Sequence, residues 1–469
     1  MTTYSLLIDG QLQQGQQNDE VQDPATLEVI GVAPRASDSQ VDQAVEAAHA
    51  AFGAWSADEA LRRQALRDAA SALRSRSEEI ATLITREQGR PFHFTQGEVA
   101  GAIATFEHYA EYAPAEVEVL RDDAQRTVQI ERRPFGVVAA ITPWNVPIIL
   151  LVLKLAPALL AGNTVVAKPS EYTPLATLLL GEILQPVFPP GVLNIIAGAG
   201  AVGERLTRHP KVRNITFTGS VATGKRLFAN AAQDVKRLTL ELGGNDAAIV
   251  LDDAQPEAIA EKLFWGAFWN SGQVCFAIKR LYVHASLFEP LTQALAARAE
   301  RTVLGHGLDP ASELGPLTTA AQFERVKELV ADAKAHGARI HSGGEALAGP
   351  GYFYPPTLVS GVGAGVRLVD EEQFGPVLPI IVYHDLEDAI AQANASEYGL
   401  GASVWTSNIE RGKDVAKRLQ AGLVWVNQHL EIHPGAPKGG HKWSGLGYEG
   451  GQRGYAQFTE LQVLNVALG

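Results

Sequence analysis

One thiol, one carboxylate and one carboxamide stand out in this sequence as groups that could do chemistry. Cys275 is the only cysteine among 469 residues, and it follows the run Ser-Gly-Gln-Val at 271–274. An unpaired cysteine is by default a small buried hydrophobe. A glycine step just before it lets the backbone bend close to a ligand, however, and this favours a reactive thiol. Glu241 lies upstream, beside paired glycines at the predicted end of a strand.

Asn145 carries the carboxamide and lies between Pro143 and Pro147, directly after the apolar run at 136–142. The two prolines restrict the backbone on both sides, so the turn is stiff. Stiffness matters because a donor stabilises a developing oxyanion only if it already points to where the charge will form. Asn145 is therefore a candidate oxyanion donor.

Two glycine motifs point to a bound phosphate or nucleotide. The run Gly198–Gly203 matches GxGxxG between a predicted strand and a predicted helix, which is typical of a dinucleotide site and equally of a plain strand–helix turn. The run Gly219–Arg226 comes close to a P-loop, but Arg226 replaces the hydroxyl residue that would bind magnesium, so an NTPase is disfavoured. The helix N-terminus there still favours a phosphate, because its free N–H groups attract anions.

A metal site is not expected. His429 and His433 have the spacing of two ligands on one helical face, but Pro434 follows directly and no third ligand is apparent. A hydrolase triad has no local signature in the sequence either.

Composition and charge exclude several classes of protein. The formal net charge of −13 at pH 7 disfavours nucleic acid or an anionic membrane surface as a partner. A single cysteine allows no internal disulfide, and the N-terminus lacks the pattern of a signal peptide. The longest apolar run, 146–161, is shorter than a membrane span and contains Lys154. A cytoplasmic protein is expected.

Strand-like and helix-like segments alternate from residue 136 onward, which predicts doubly wound α/β domains with parallel sheets. A second series of strands begins at residue 247, so two such domains are expected. Before the first series, a helix is predicted from Ser56 to about residue 88, with Ser56 and Glu59 forming a capping box. Residues 115–133 have the pattern of a polar hairpin, and the last residues alternate as a strand does; both suit a subunit interface.

Taken in order, the short motifs resemble those of the aldehyde dehydrogenase superfamily over essentially the whole chain. They are TPWNVP (142–147), AKPSEYTP (167–174), FTGS (217–220), ELGG (241–244), GQVC (272–275), EEQFGPV (371–377), NASEYGL (394–400), GLVWVN (422–427) and PKGGHKWSG (437–445). The resemblance implies a Rossmann-type nucleotide-binding domain at 1–112 and 134–242 and a second α/β domain, the catalytic one, at 243–455. It also implies a small β oligomerisation element at 113–133 and 456–469, and hence a homodimer or homotetramer.

The same resemblance implies roles for the three chemical groups. The Cys275 thiolate would add to an aldehyde carbon to give a thiohemiacetal, whose oxyanion the Asn145 amide and the Cys275 N–H would hold. Hydride transfer to a nicotinamide would leave a thioester, and water activated by Glu241 would hydrolyse it to the acid. This chemistry requires no metal.

The cofactor implied is NAD, with NADP the less favoured alternative. Lys168 and Glu171 would bind the adenosine ribose, where the carboxylate would repel the 2′-phosphate of NADP. Ser220 would meet the pyrophosphate, and Glu372 the nicotinamide ribose. The full set of expected contacts is Thr142, Pro143, Trp144, Lys168, Ser170, Glu171, Gly200, Phe217, Gly219, Ser220, Thr223, Leu242, Gly243, Glu372 and Phe374.

The resemblance also implies that the substrate is a small-molecule aldehyde. The residues near matched tunnel positions predict that it is apolar or aromatic: Leu150, Leu153, Trp269, Phe276 and Ile432. Lys438 stands where an aromatic residue is common, and we expect it to point to solvent rather than to attract an acidic substrate group. A semialdehyde dehydrogenase, which Lys438 would favour, and a CoA-acylating enzyme, which Glu241 disfavours, are the alternatives. A different class is a non-catalytic binder with the same fold.

Overall fold

A computed structural model describes residues 2–114, 117–433 and 435–468, and it contains two large sheets built on separate cores. The first sheet has eight strands, of which the five central ones run parallel. Residues on both faces of its central strands are buried, as expected for a sheet that is covered by helices. Its strands in spatial order are Gly445–Leu446, Arg237–Glu241, Val212–Thr218, Val137–Ile141, Thr164–Lys168, Leu193–Ile195, Leu6–Ile8 and Gln11–Gln13.

Eight helices pack with the first sheet: Asp38–Ala57, Glu59–Ser75, Ser77–Gln88, Phe92–Glu111, Pro147–Leu160, Leu175–Leu184, Gly200–Arg208 and Val221–Ala231. The capping box predicted at Ser56 is wrong, because Ser56 still belongs to the first helix. Asp58 caps the next helix instead, and its carboxylate accepts the N–H of Leu61 at 2.9 Å. The helix predicted to run to residue 88 is also divided, at Arg76.

The second sheet has seven strands, six of them parallel, so the predicted α/β class with parallel sheets is confirmed. Its strands in spatial order are Arg339–Ser342, Thr357–Ser360, Val377–Tyr383, Ile278–His284, Asp246–Val250, Gly401–Trp405 and Leu423–Val426. The strand Thr357–Ser360 was not predicted. Its helices are Pro256–Phe268, Phe288–Glu300, Ala320–Ala335, Arg367–Asp370, Leu386–Asn394 and Ile409–Ala416.

The hairpin and the terminal strand form a sheet of their own. The hairpin strands are Val117–Asp122 and Arg126–Pro134, and Thr459–Ala467 pairs antiparallel with the second of them. Residues 115–116, where the predicted hairpin begins, lie outside the described residues. The terminal strand thus finds its partner in the hairpin, away from both large sheets, and many of its apolar side chains are exposed.

Smaller elements connect these parts. They are the strands Thr2–Thr3, Gln17–Gln22 and Val29–Arg35 of an N-terminal sheet, the paired strands Tyr398–Gly399 and His441–Lys442, the helix Gly451–Ala456, the 3₁₀ turns Ala232–Asp234 and Ala285–Leu287, and the turn Trp269–Gly272. Among the described residues, no helix is both long enough and apolar enough to cross a membrane.

One strand crosses between the two halves. Gly445–Leu446 follows the second sheet in the chain but pairs antiparallel with Arg237–Glu241 of the first. Glu241, the last residue of its strand, pairs with Gly445 of this return. Cys275 lies in the loop that precedes the strand Ile278–His284 of the second sheet, so the thiol and the carboxylate come together where the two halves meet.

Candidate active site

Cys275 lies where two cavities meet. We call them the apolar cavity, of about 710 Å³, and the inner cavity, of about 230 Å³; both have Asn145, Glu241 and Cys275 in their walls. The inner cavity adjoins an outer cavity of about 590 Å³, with which it shares residues 143–144 and 218–220. One molecule along the outer and inner cavities and another in the apolar cavity would therefore both reach the sulfur.

A left-handed turn brings the chain to Cys275. Asn270 and Ser271 each have a φ of 53°, and Gly272 has a φ of 73°. Only the glycine adopts this region without steric cost, so the other two must be held by contacts. The Asn270 side chain donates to the carbonyl oxygen of Asn145 at 3.1 Å, and the Ser271 hydroxyl donates to a backbone carbonyl at 2.8 Å. The strain therefore lies in the segment that sets the position of the thiol.

The Asn145 carboxamide is fixed at the same junction. One of its N–H groups donates to the carbonyl oxygen of Gln273 at 2.9 Å, which leaves the second for a ligand. The helix that follows, Pro147–Leu160, is held at its N-terminus by Glu98. The Glu98 carboxylate accepts two N–H groups of its first turn at 2.7 and 3.2 Å, so the segment after Asn145 is anchored.

Glu241 is buried, and neither of its carboxylate oxygens has a hydrogen-bond partner among the described residues. Burial raises the pKa of Glu241 to about 8, and the nearby Glu449 adds to the increase. Lys438, Lys154 and the Cys275 thiol lower the pKa of Glu241 in part. Burial and the charge of Glu241 likewise raise the pKa of Cys275 well above its usual value. Ionisation of either group therefore opposes that of the other, as is common in catalytic sites.

Two lysines flank Glu449 at one side of the apolar cavity. Lys154 pairs with the Glu449 carboxylate, and its ammonium also donates to Thr218 Oγ1 at 2.7 Å. Lys438 Nζ lies 4.0 Å from the other oxygen, Glu449 Oε2. The expectation that Lys438 points to solvent is wrong, because the residue is 9% exposed and lines the cavity. Backbone hydrogen bonds of 2.6 and 2.7 Å between Lys438 and Glu449 hold it against the interior.

The outer cavity has features that fit a dinucleotide. Ser220 caps the helix Val221–Ala231, and the free N–H groups of a helix N-terminus bind phosphate. Burial lowers the pKa of Lys168 to about 8, and the charge of Glu171 opposes the decrease. All expected contacts of this part line the cavity: Thr142, Pro143, Trp144, Lys168, Ser170, Glu171, Gly200, Phe217, Gly219, Ser220 and Thr223. Arg208 and Arg226 also line it and were not expected.

The inner cavity contains the remaining expected contacts, Leu242, Gly243, Glu372 and Phe374. The Glu372 carboxylate accepts the N–H of Gly244 at 3.0 Å, and a Cβ at position 243 would displace it, so the glycine lets the carboxylate lie against the backbone there. Phe374 has a φ of 46°, and its ring centroid lies 5.4 Å from that of Trp144. Residues held in this strained region are frequent in ligand sites.

The apolar cavity contains all five expected substrate contacts: Leu150, Leu153, Trp269, Phe276 and Ile432. Its walls also include apolar residues that the sequence analysis missed, namely Ile149, Trp265 and Leu430. Among the charged residues, the lining residue Glu449 had no signal in the sequence, whereas its partner Lys154 had one, a lone charge in an otherwise apolar helix. Most of the cavity surface is apolar, and charged residues lie both beside Glu241 and elsewhere in the wall, at Glu261, Lys262 and Glu431.

The two histidines considered as metal ligands lie in different surroundings. His429 is buried, with its Nε2 2.6 Å from the carbonyl oxygen of Phe276, and burial lowers the pKa of His429 to about 3. His433 is exposed, and Pro434 lies outside the described residues. In the part of the chain that the structure describes, no group of three or more His, Cys, Asp or Glu residues could hold a metal ion.

Comparison with known proteins gives a consistent result. Residues 12–464 match the model of the "Aldehyde dehydrogenase family". Retinaldehyde dehydrogenase 3 of Rattus norvegicus is 38% identical over 454 residues, which are 95% of this chain and 89% of that protein. A betaine aldehyde dehydrogenase variant of Staphylococcus aureus, solved with NAD+, superposes with a TM-score of 0.96 at 32% identity and covers 99% of this chain and 96% of its own. Lactaldehyde dehydrogenase of Escherichia coli also superposes at 0.96, with 35% identity and 99% coverage of both chains.

Proposed function

The chain belongs to the aldehyde dehydrogenase family, and from that premise we propose that Cys275 is the nucleophile, Asn145 an oxyanion donor and Glu241 the general base of its reaction. The enzyme oxidises an aldehyde to the carboxylic acid and depends on NAD or NADP. The observation that best supports the three roles is that these side chains are the ones shared by the apolar and inner cavities.

The first half of the reaction forms and oxidises an adduct on Cys275. The Cys275 thiol loses its proton to solvent, the thiolate sulfur adds to the aldehyde carbon, and the electron pair of the carbonyl π bond moves to the oxygen, which becomes an oxyanion. The second N–H of the Asn145 amide and the backbone N–H of Cys275 stabilise that charge, and each donor is worth about 3 kcal/mol in the barrier. A nicotinamide cofactor held by the residues of the inner and outer cavities would supply the acceptor for the hydride that this carbon loses, and a thioester would remain on Cys275.

The second half releases the acid. Glu241 takes a proton from water, the oxygen attacks the thioester carbon, and the Cys275 thiolate leaves. Because burial raises the pKa of Glu241 to about 8, this side chain is mostly protonated at neutral pH. The fraction of Glu241 that is ionised, and so able to accept a proton from water, increases as pH rises through 8. A carboxylate in this position supports water rather than CoA as the group that resolves the thioester.

The cofactor roles follow from the two polar cavities. Lys168 and Glu171 would hold the adenosine ribose, Ser220 the pyrophosphate and Glu372 the nicotinamide ribose. We favour NAD over NADP because the carboxylate of Glu171 repels a 2′-phosphate. The positive charges of Arg208 and Arg226 in the outer cavity would attract a 2′-phosphate and so oppose this preference. Arg208 is paired with Glu204, while Arg226 donates to Thr223 Oγ1 at 3.3 Å.

The substrate we favour is an apolar or aromatic aldehyde, because aliphatic and aromatic side chains form most of the apolar cavity. A second candidate, an aldehyde that also carries an acid group, is supported by the buried Lys438. Its ammonium has no hydrogen bond within 3.5 Å among the described residues and only a 4.0 Å ion pair with Glu449. A carboxylate at the far end of a short substrate would pair with the Lys438 ammonium.

A panel of aldehydes with NAD and NADP, followed by NADH absorbance, tests this function. The panel should pair apolar aldehydes with semialdehydes of the same chain length, and mass spectrometry of the product with and without CoA should show the free acid. No reduced cofactor with any aldehyde would leave the non-catalytic binder as the better hypothesis. An acyl-CoA product would instead support the CoA-acylating alternative.

Assembly, location and domain bounds are also part of the proposal. We expect a homodimer or homotetramer in the cytoplasm, and the exposed apolar residues of the terminal strand Thr459–Ala467 support self-association through the three-stranded sheet. The proposed bounds are 1–112 with 134–242, 243–455, and 113–133 with 456–469. Light scattering of the purified protein would measure its mass in solution.

A further inference from the structure

Lys279 is a buried cation in direct contact with the backbone of the nucleophile. It belongs to the strand Ile278–His284, and its side chain is 2% exposed. Its ammonium donates to the carbonyl oxygen of Cys275 at 2.6 Å and to that of Val274 at 2.9 Å. It also lies 3.5 Å from Oε1 of Glu372, the residue proposed to hold the nicotinamide ribose.

The contact with Val274 fixes the direction of a proposed oxyanion donor. The carbonyl of Val274 and the N–H of Cys275 belong to the same planar peptide unit and point in opposite directions. The Lys279 ammonium and the backbone N–H of Ala277, at 3.1 Å, both donate to that oxygen, so together they hold the unit against rotation and keep the Cys275 N–H on the side away from Lys279. Hydrogen bonding at the oxygen also polarises the unit, so the N–H becomes a stronger donor.

The charge of Lys279 acts on the sulfur as well. Burial, Glu241 and Glu372 raise the pKa of the Cys275 thiol, and Lys279 is the cation that opposes them. The other titratable groups lining the two cavities are Glu261, Lys262, Arg325, His429, Glu431, Lys438 and Glu449. Of these, Lys438 and Glu449 change the pKa of Glu241 in opposite directions, so their effect on the sulfur is largely indirect.

We propose that Lys279 is a positioning residue for Cys275 that holds the oxyanion-donating peptide in place and supplies the positive charge that favours the thiolate. This inference rests on the proposed nucleophilic role of Cys275. Lys279 takes no part in the proposed bond changes at Cys275, and in the sequence it is marked only by its place four residues after the cysteine. Its contact with Glu372 further connects the nucleophile to the cofactor cavity.

Alkylation of the only thiol in the chain tests the proposal without any turnover. In Lys279→Met, the rate of iodoacetamide alkylation of Cys275 at a fixed pH near 8 should fall roughly tenfold, because the nearby positive charge is lost. The pre-steady-state burst of NADH with an active aldehyde should fall about a hundredfold, the scale of one lost oxyanion donor. In Lys279→Gln, which keeps a donor but no charge, alkylation should fall equally and the burst should fall less.

Lys236→Met is the matched control. Lys236 is also buried, at 1% side-chain exposure, and its ammonium also donates to two backbone carbonyl oxygens, at 2.7 and 2.9 Å, with a carboxylate at 3.2 Å. It lies outside the three cavities described, so its loss should cost stability without changing alkylation of Cys275. Equal alkylation rates in wild type and Lys279→Met, or an equal fall in Lys236→Met, would overturn the proposal.

The two proposals fail in different ways. If wild-type protein reduced no cofactor, the proposed function would fail, while the alkylation rates would still report on Lys279. If Lys279→Met does not fold, as judged by circular dichroism, the alkylation rate of Lys279→Gln decides, and a rate equal to that of wild type refutes the electrostatic role.

Discussion

The cavities on the two sides of Cys275 are built in different ways. The outer cavity is formed by strand ends, turns and a helix N-terminus from one stretch of chain, residues 141–230. The apolar cavity draws its lining from segments between Asn145 and Glu449, in both halves of the protein. The first side combines backbone groups at strand ends and a helix N-terminus with the side chains of Lys168 and Glu171, whereas the second depends on individual side chains. We infer that phosphate binding is set by the fold, whereas cofactor preference and substrate choice depend on a few substitutable residues.

The electrostatics of the two sides differ in the same way. In the outer cavity Lys168 and Glu171 are neighbours along the chain, and the charge of Glu171 supports the ammonium. On the other side, the pKa of Glu241 is changed by the charges of Glu449, Lys438 and Lys154, which come from separate segments of the chain. A single substitution there should therefore change the reaction itself, while one in the outer cavity should change only which cofactor is preferred.

Removal of the Cys275 sulfur, which both cavities share, should cause the largest loss of aldehyde oxidation. Cys275→Ala should lower aldehyde oxidation on the order of a millionfold, as loss of a covalent nucleophile does. Binding of NAD, followed by its protection against thermal unfolding, should stay intact because the outer cavity is unchanged. Reduction of NAD at an undiminished rate would remove the basis for the mechanism.

Glu241→Gln should have the next largest effect, and on one half-reaction only. The first turnover should still release a burst of NADH, because the sulfur and its donors remain. Steady-state turnover should fall about 10²- to 10⁴-fold, since the proposed general base is lost. In wild type, turnover limited by hydrolysis should rise with pH through about 8, where Glu241 ionises, and this rise should disappear in the variant. Loss of the burst itself would mean that Glu241 activates the thiol.

The residues expected from the sequence line the cavities on both sides, but the sequence did not show which charged side chains turn inward. Ser220 and Glu241 could be placed because the alternation of strands and helices puts them at strand ends, and such ends meet at one edge of a parallel sheet. The inward direction of Lys438 could not be predicted, because it depends on backbone pairing with Glu449 across the fold.

Local errors had local causes. Ser56 and Glu59 had the spacing of a capping box, but the carboxylate of Asp58 took the N-cap position two residues later. Lys279 was missed because a lysine in a β-rich run reads as a solvent-facing residue, and only the tertiary structure brings its ammonium under the Cys275 loop. The left-handed turn at 270–272 was not predicted either, because only one of its three positions is a glycine.

Lys438→Met tests whether a single side chain sets the substrate class. If the ammonium binds an acid group, kcat/KM for a semialdehyde should fall roughly 10- to 100-fold, the scale of a hydrogen bond to a charged group. For an apolar aldehyde of equal length, kcat/KM should change little when wild type and variant are each measured at their own pH optimum. The pH optimum of the variant should be higher than that of wild type, because Lys438 lowers the pKa of Glu241. An equal loss for both substrates would assign Lys438 to the chemistry rather than to recognition.

Glu171→Ala should have the smallest effect, because it changes one charge at the partly exposed end of the outer cavity. Removing the carboxylate should raise the ratio of kcat/KM with NADP to that with NAD by about fivefold, equivalent to about 1 kcal/mol of repulsion in a water-like environment. High salt should reduce the difference, since exposed charges are screened. The double variant Glu171→Ala with Arg226→Ala separates the two charges: if Arg226 attracts the 2′-phosphate, NADP use should fall again, whereas an unchanged ratio would leave Glu171 as the sole determinant.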